Sequence, residues 1–315
     1  MEKVSIIIST YNRKELLKNA IKSALMQTYK NIEVLVVDDH SHYNIFDVLE
    51  ELEDKIRIIK NKRNVGSAAT YNVGIKESSG EYVTILNDDD LFHPRKIEIQ
   101  MSILNKRRDV GFVYCPIGIL IKNEIFYKPV KDDRQGLFES IFFNRMCITP
   151  LVKKECFSVC GLFDESMTYH EDRELWYRIG KKYPFAFDER PSYILYNRKI
   201  DRLSSQIERI HSSKKELFEK YKIDFKNQKK FFSEYYYELA YDYLLRGYYK
   251  IFFEQFKQSI QNNPKIIKKF LYEYSTIPLG RFSFRYKRIK IDNDLKELFI
   301  ELDNYQNFWK ESNST

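Results

Sequence analysis

The stretch YVTILNDDDLFHP, residues 82–94, runs an apolar, β-branched segment straight into three consecutive aspartates, Asp88, Asp89 and Asp90. Adjacent carboxylates repel, so clustering them is costly unless something positive lies against them. A run of Asp after a strand is, taken alone, an ordinary solvated turn. It becomes a cation site where hard divalent ions can find carboxylate oxygens beside a phosphate-bearing ligand. The rest of the chain decides between these two readings.

Working outward, strands and helices alternate on both sides of this stretch. KVSIIIST is a short strand, and RKELLKNAIKSALMQ places Leu16, Leu17, Ala20, Ile21, Ala24 and Leu25 at helical spacing. NIEVLVVDD is a second buried strand, IFDVLEEL a second helix and IRIIKN a third strand. GSAATYNVGIKESS then reads as a helix leading into the fourth strand, EYVTILNDDD. Such alternation with short connections predicts a doubly wound α/β fold with a mostly parallel sheet. In such sheets ligands gather at the carboxyl ends of the strands. Here those ends carry Ser9, Thr10, Tyr11 and Asn12, then Asp38 and Asp39, then Asn87 to Asp90. After about residue 107 the pattern loosens into VGFVYCPIGILI and EIFYKPV, a strand pair. CITPLVKKECFSVCGLFDE follows as a strand, short helix and turn, then a helix over HEDRELWYRIGKKY and two short strands in FAFDERPSYILYNRK.

From about Ser205 the pattern is helical and rich in Lys, Phe and Tyr. Two helices are expected around Gly247, stopped before Pro264, in the manner of a single tetratricopeptide-like hairpin with Phe252 and Ser259 in place of small alanines. One such hairpin cannot stack into a solenoid. The expected organisation is therefore an α/β domain over residues 1–204 and an all-α region over 205–315, offering acceptor, membrane or oligomer contacts.

Composition narrows the function class. The 315 residues include 24 Tyr and 23 Phe but only 10 Gly and 8 Pro, which suits a folded chain without a long disordered linker. The net charge of +8 suits a partner that bears phosphate. Nucleic acid is not expected, because no binding motif is present and basic residues alternate with acidic ones. Cys115, Cys147, Cys156 and Cys160 match neither a zinc ribbon nor a disulfide framework and read as reduced thiols of a cytoplasmic protein. No run approaches the ~18 apolar residues of a membrane span. Lysines and arginines alternating with aromatics in the tail, among them Lys229, Lys230, Lys268 and Lys269, suit peripheral contact with an anionic membrane surface.

Six segments, VSIIISTYNR, VLVVDDHS, NVGSAATYNVGI, GEYVTILNDDD, CGLFDE and YHEDRELWYR, stand in the order found in family 2 glycosyltransferases of the GT-A fold. Over roughly residues 3–200 the chain resembles that family. The resemblance implies a Rossmann-like sheet flanked by helices and an inverting transfer of a sugar from a nucleotide diphosphate, UDP or dTDP, to a hydroxyl of a glycan, lipid-linked or protein acceptor. It lacks the QxxRW-like motif of processive synthases.

By the same resemblance, Asp89 is the ligand of Mn²⁺ or Mg²⁺, Asp88 lies near the donor ribose and Asn87 stands where an Asp is usual. Ser9, Thr10, Tyr11 and Asn12 line the base, and Asp39 accepts a hydrogen bond from it. Asp38 has the stronger claim to a turn or cap role. Asp172 matches the catalytic base, with Glu171 beside it. Acidic residues that open a helix also favour its dipole, so capping is the competing account. Tyr71, next to Asn72, stands where the family often has a phosphate-binding Arg. No His follows YILYNRK, and Arg198, Lys199 or Arg202 are the candidates to restore the missing positive charge. Trp176 lies one turn after Asp172, placed either to pack on a sugar or to fill the core.

Two other readings are open at this level. A chain with a degenerate sugar site would act as an interaction module through its helical tail, and a homo-oligomer could form through the same tail.

Overall fold

The computed structural model describes residues 1–121, 124–127, 150–167, 169–196, 207–225, 229–244, 247–276, 287–290 and 292–302. The chain forms two compact units. One comprises Met1–Arg134, Met146–Asp201 and Lys287–Thr315, the other Gln135–Arg145 and Arg202–Tyr286.

The first unit is built on a seven-stranded sheet. Its strands are β1 (Val4–Thr10), β2 (Ile32–Asp38), β3 (Arg57–Lys60), β4 (Tyr82–Asn87), β6 (Phe112–Tyr114), β9 (Leu151–Lys153) and β10 (Phe185–Phe187), in the order β10-β6-β9-β4-β1-β2-β3. β1 pairs in parallel with β2 on one side and β4 on the other, and β2 in turn with β3. A central parallel strand is covered on both faces, which is why VSIIIST is nearly continuous in apolar residues rather than alternating. Only β9 runs against its neighbours β4 and β6. Helices α1 (Lys14–Leu25), α2 (Ile45–Leu49), α3 (Ser67–Glu77) and α4 (Lys96–Lys106) connect these strands, followed by α5 (Lys154–Cys160) and α6 (Glu171–Lys182). The expected α/β architecture is thus present.

The fourth strand ends at Asn87, and the aspartate run forms the bend into a separate short strand, β5 (Asp90–Phe92). β5 belongs to a second, five-stranded sheet with β7 (Ile117–Ile121), β8 (Glu124–Tyr127), β11 (Tyr193–Leu195) and β12 (Lys287–Lys290), ordered β12-β8-β7-β11-β5. The aspartates are therefore the corner where one sheet hands the chain to the other.

β12 and the helix after it, Asn293–Glu301, correct the expectation that everything beyond residue 204 forms a separate helical region. β12 pairs antiparallel with β8. The helix buries Leu295, Leu298 and Phe299, with Leu302 beyond its end, in one cluster with Leu91, Leu120, Ile125, Ile194 and Tyr196. An amphipathic helix of nine residues has little stability alone and takes its place from the apolar surface available to it. Sequence periodicity reports the helix but not which surface it covers.

The second unit contains α7 (Ile207–Tyr221), α8 (Lys229–Leu244), α9 (Tyr249–Asn262) and α10 (Ile266–Thr276); in chain order the helix packed beside β12 is α11. The α8–α9 hairpin turns at Gly247, whose φ of 78° suits glycine. Ser259, at a position expected to be small, donates from its hydroxyl to the Ser233 carbonyl at 2.7 Å, so the two helices approach closely there. No described helix is long and apolar enough to cross a membrane.

Leu298→Ala tests the return of the chain to the first unit. Removing this fully buried side chain should lower stability by about 2–5 kcal/mol in urea denaturation; a solvated tail helix would lose almost nothing.

Candidate active site

Parallel register brings the polar strand ends together. Thr10 lies opposite Asp38, and Ser9 opposite Asn87. Just beyond them, Asp88 and Asp89 are buried. Thr10 Oγ1 donates to Asp88 Oδ2 at 2.8 Å, and Arg13 Nη1 lies 3.1 Å from Asp88 Oδ1 and 3.3 Å from Asp89 Oδ2. One guanidinium thus serves two carboxylates. Burial pushes the Asp88 carboxyl up to about 6, while Arg13 and Thr10 pull against that rise. Two carboxyl groups thus meet one guanidinium at this corner. A buried oxygen donor set is the chemistry a hard divalent cation satisfies, so Asp89 with Asp88 fits the expected metal. Asp90 is engaged elsewhere, since Tyr193 Oη donates to its Oδ2 at 2.7 Å across the β5–β11 pair.

Arg13 is the functional residue that sequence reasoning missed. It sits in the first motif, STYNR, as the residue before α1, where nothing local marks its partner. The candidates considered for positive charge, Arg198, Lys199 and Arg202, lie outside the described residues. Only the meeting of the β1 and β4 ends brings Arg13, 75 residues away in sequence, onto Asp88.

The second strand end separates its two aspartates. Asp38 Oδ1 accepts from the backbone N–H of Ser41 at 3.0 Å and from its hydroxyl at 2.6 Å, the local turn that its position suggested. Asn12, at φ 59°, joins this turn: its N–H donates to Ser41 Oγ and its side-chain oxygen accepts from the N–H of His42, both at 2.9 Å. Asp39 accepts from the N–H groups of Val65 at 2.8 Å and Gly66 at 2.9 Å, and from Asn61 Nδ2 at 3.0 Å. Gly66 takes φ 87°, which a side chain would oppose, and so turns its N–H toward Asp39 at the start of α3. Tyr11 stands exposed at the rim with its ring 6.0 Å from that of His42.

Tyr71 and Asn72, neighbours on α3, point to different structures. Tyr71 Oη donates to Asn87 Oδ1 at 3.0 Å. Burial raises the Tyr71 hydroxyl pKa well above its ordinary range, and the Glu171 charge, with those of Asp172 and Asp88, adds to the rise. Tyr71 therefore stays neutral among the carboxylates of both motifs. Asn72 is buried, donates to the Phe163 carbonyl at 3.0 Å and to Glu165 at 2.8 Å, and accepts from the Phe163 N–H at 2.9 Å. Expected at the nucleotide sugar, its amide instead fastens the CGLFDE turn, because three partners of that turn satisfy it.

That turn is also held from α6. Arg178 lies 2.7 Å from the fully buried Glu174 and donates to the carbonyls of Cys160 and of Leu162, the latter at 2.6 Å. Its placement fixes the start of α6, where Glu171 and Asp172 lie. Ser67 Oγ, at the first residue of α3, donates to Glu171 Oε1 at 2.8 Å. Burial and then the neighbouring Asp172 charge push Glu171 up to about 7, and burial also raises Asp172 against the pull of Arg173. Trp176 is 3% exposed, its ring 5.7 Å from Phe163 and 6.4 Å from Phe112, so of its two expected roles the structure gives it the core.

One further group of metal-capable side chains, His93, Asp292 and Asp294, brings ligand atoms within 4.8 Å of one another. His93 Nδ1 accepts from the Arg95 N–H at 3.1 Å, which leaves Nε2 to donate to Asp292 Oδ2 at 2.9 Å. Asp292 also caps α11 by accepting from the Leu295 N–H at 3.0 Å. His93 and Asp292 fasten the returning helix beside β5 through these contacts.

Among known proteins, the sequence model of Glycosyl transferase family 2 matches residues 5–168, just over half of the chain. An uncharacterised glycosyltransferase of Rickettsia typhi is 37% identical over 195 residues, covering 59% of this chain and 61% of that protein. A relative from Rickettsia conorii is 35% identical over 198 residues and is matched over only 32% of its length. The chain thus spans a part, and not the whole, of these relatives. Over 182 residues it is 32% identical to WfgD of Escherichia coli, a UDP-Glc:α-D-GlcNAc-diphosphoundecaprenol β-1,3-glucosyltransferase, with 56% of this chain and 70% of that protein covered. In fold it is similar to Staphylococcus aureus TarS residues 1–349 in complex with UDP-GlcNAc, at a TM-score of 0.56 and 14% identity over 98% of this chain and 89% of that one. The ordered motifs, the sheet that carries them and the matched family model lead to one assignment: the chain belongs to glycosyl transferase family 2.

Proposed function

We propose that this chain is a non-processive, inverting glycosyltransferase that moves a sugar from a UDP- or dTDP-linked donor to an acceptor hydroxyl of a cell-surface or lipid-linked glycan or a protein. The observation that carries this reading is Tyr71. Its hydroxyl bonds Asn87, while Ser67, one turn earlier on the same helix, bonds Glu171, which supports reading the aspartate run and the acidic start of α6 as one site. The donor named for WfgD supports UDP among nucleotides, and its acceptor supports a lipid-linked substrate. Such a protein works in the cytoplasm, peripheral to the inner face of the membrane.

In this reading Asp89, assisted by Asp88, holds a Mn²⁺ or Mg²⁺ ion. When bound, that ion neutralises negative charge on the leaving nucleoside diphosphate. Arg13 adds fixed positive charge on the same side and pulls the raised Asp88 pKa down. Asp39, which closes the loop before α3, accepts a hydrogen bond from the base beside the segment of Thr10 and Tyr11. Asp172 accepts the proton of the attacking hydroxyl, a role that needs a base on the acceptor side in a single displacement. Glu171, tied to Ser67, is the less free of the pair and raises the affinity of Asp172 for a proton by its charge.

Three expected outcomes test this account. Thermal melting with UDP, dTDP, GDP and CDP should show stabilisation by one uridine or thymidine nucleotide that requires Mn²⁺ and disappears in Asp89→Ala. No shift with any nucleotide would instead favour an interaction module.

Asp172→Asn should lower kcat by roughly 100- to 10,000-fold with little change in donor affinity. Because the base must be ionised and burial raises the Asp172 carboxyl, kcat/KM should fall on the acid side with an apparent pKa above the ordinary carboxylate range. Glu171→Gln removes a like charge and should move this limb to lower pH, and an unmoved limb would refute the pairing.

Arg13→Met leaves Asp88 and Asp89 without their shared cation. The Asp88 pKa should then rise further above 6. A carboxyl whose folded pKa is raised loses stability as pH climbs through it. The variant should therefore melt lower than wild type at pH 8, recover toward pH 5, and gain more from Mn²⁺ than wild type does.

A further inference from the structure

We propose that the outward faces of α9 and α10 form a docking surface for an anionic lipid bilayer. Among the described residues twelve large apolar side chains are exposed, and five of them, Tyr248, Tyr249, Phe253, Ile267 and Leu271, fall within one stretch of the second unit. Tyr249 (61% exposed) and Phe253 (65%) are four residues apart on α9, and Ile267 and Leu271 (58%) four apart on α10, so each pair lies on one helix face. Ring contacts join the two helices beside these residues: Phe270 of α10 lies 4.7 Å from Phe256 and 5.8 Å from Phe252 of α9. Those rings fill the space between the helices. A bilayer surface needs only outward-facing apolar side chains, which these helices present.

Charge identifies which bilayer. Between Tyr248 and Leu271 stand five lysines and one carboxylate, Glu254. Lys250, Lys257, Lys265 and Lys268 are exposed there, as is Glu254, while Lys269 is held by Glu234. The bias extends through the unit. Residues 202–286 hold 17 of the 53 Lys and Arg but only 9 of the 45 Asp and Glu, so they carry an excess of eight, equal to the net charge of the entire chain. The remainder of the chain is balanced. Two copies of such a face would repel each other, which argues against self-association. An anionic surface attracts it, lysine stems can lie along the apolar side chains with their ammonium groups in the headgroup layer, and aromatic rings favour that interface.

This inference rests on the peripheral placement proposed above and names the surface responsible. Its test needs no sugar transfer. The full chain is sedimented with vesicles of phosphatidylglycerol and phosphatidylcholine in equal parts, and with phosphatidylcholine alone, at low and high salt. Binding is expected to the anionic vesicles at low salt, with a loss of about tenfold or more in Phe253→Glu/Leu271→Glu and in Lys250→Glu/Lys257→Glu/Lys268→Glu. Phe253→Trp should show a blue-shifted emission on vesicle addition. Melting temperature and the nucleotide-induced shift should be unchanged in these variants, which separates a failure of docking from a failure of the transferase reading. The proposal is overturned by equal binding to neutral vesicles, by full binding of either multiple variant, or by no binding at low salt. It is equally overturned by a dimer in light scattering that Phe253→Glu dissolves, since a second copy then covers the face. A large fall in melting temperature in Phe253→Glu would also overturn it, because a segment of the same chain would then be packed there.

Discussion

The parallel pairing of β1 with both β2 and β4 is the constraint on which the site depends. Register in such a ladder is set by burial on both faces, since sliding one strand along another would draw its polar end residue into the apolar layer. With the register fixed, the three strands deliver their closing polar residues to one edge. Thr10, Asp38 and Asn87 stand at that edge because the apolar runs before them have the lengths they have. Side chains 75 residues apart in sequence, those of Arg13 and Asp88, become neighbours without any local instruction to do so.

Burial of negative charge is the second consequence. Asp88, Glu171 and Asp172 are drawn from water, which raises the cost of ionising them. For Asp88, Arg13 and Thr10 pull against that cost. At α6 the compensation is weaker, and there the Glu171 carboxyl is pushed close to neutral pH. Environment thus gives similar residues different surroundings, with two carboxyls beside a fixed cation in one place and two adjacent buried carboxyls of raised pKa in the other.

Several polar residues near these groups serve to hold loops. Asn72 and Arg178 pin the CGLFDE turn, which sets where α6 begins. Asp39 closes the loop before α3 through Val65 and Gly66. The motif residues are therefore of two kinds, those that face the space between β4 and α6 and those that keep its walls in place. A motif reading cannot separate them, because both kinds are polar and lie near the same strand ends.

The sequence by itself determined the alternation of strands and helices, the ends at which polar residues collect, the run of aspartates as a candidate cation site, and the helical hairpin around Gly247. Those features are local: period, turn chemistry and the order of short segments report them directly. Tertiary structure alone decided that Arg13 is the counter-ion of Asp88 and Asp89, that Asn72 and Trp176 belong to the scaffold, that the aspartate run is a corner between two sheets, and that residues from Lys287 return to the first unit. Each of these rests on pairing between distant segments. The partner of a charged or amphipathic side chain is set by where the strands and helices pack, and hydrophobic periodicity specifies that a face must be covered without specifying by what.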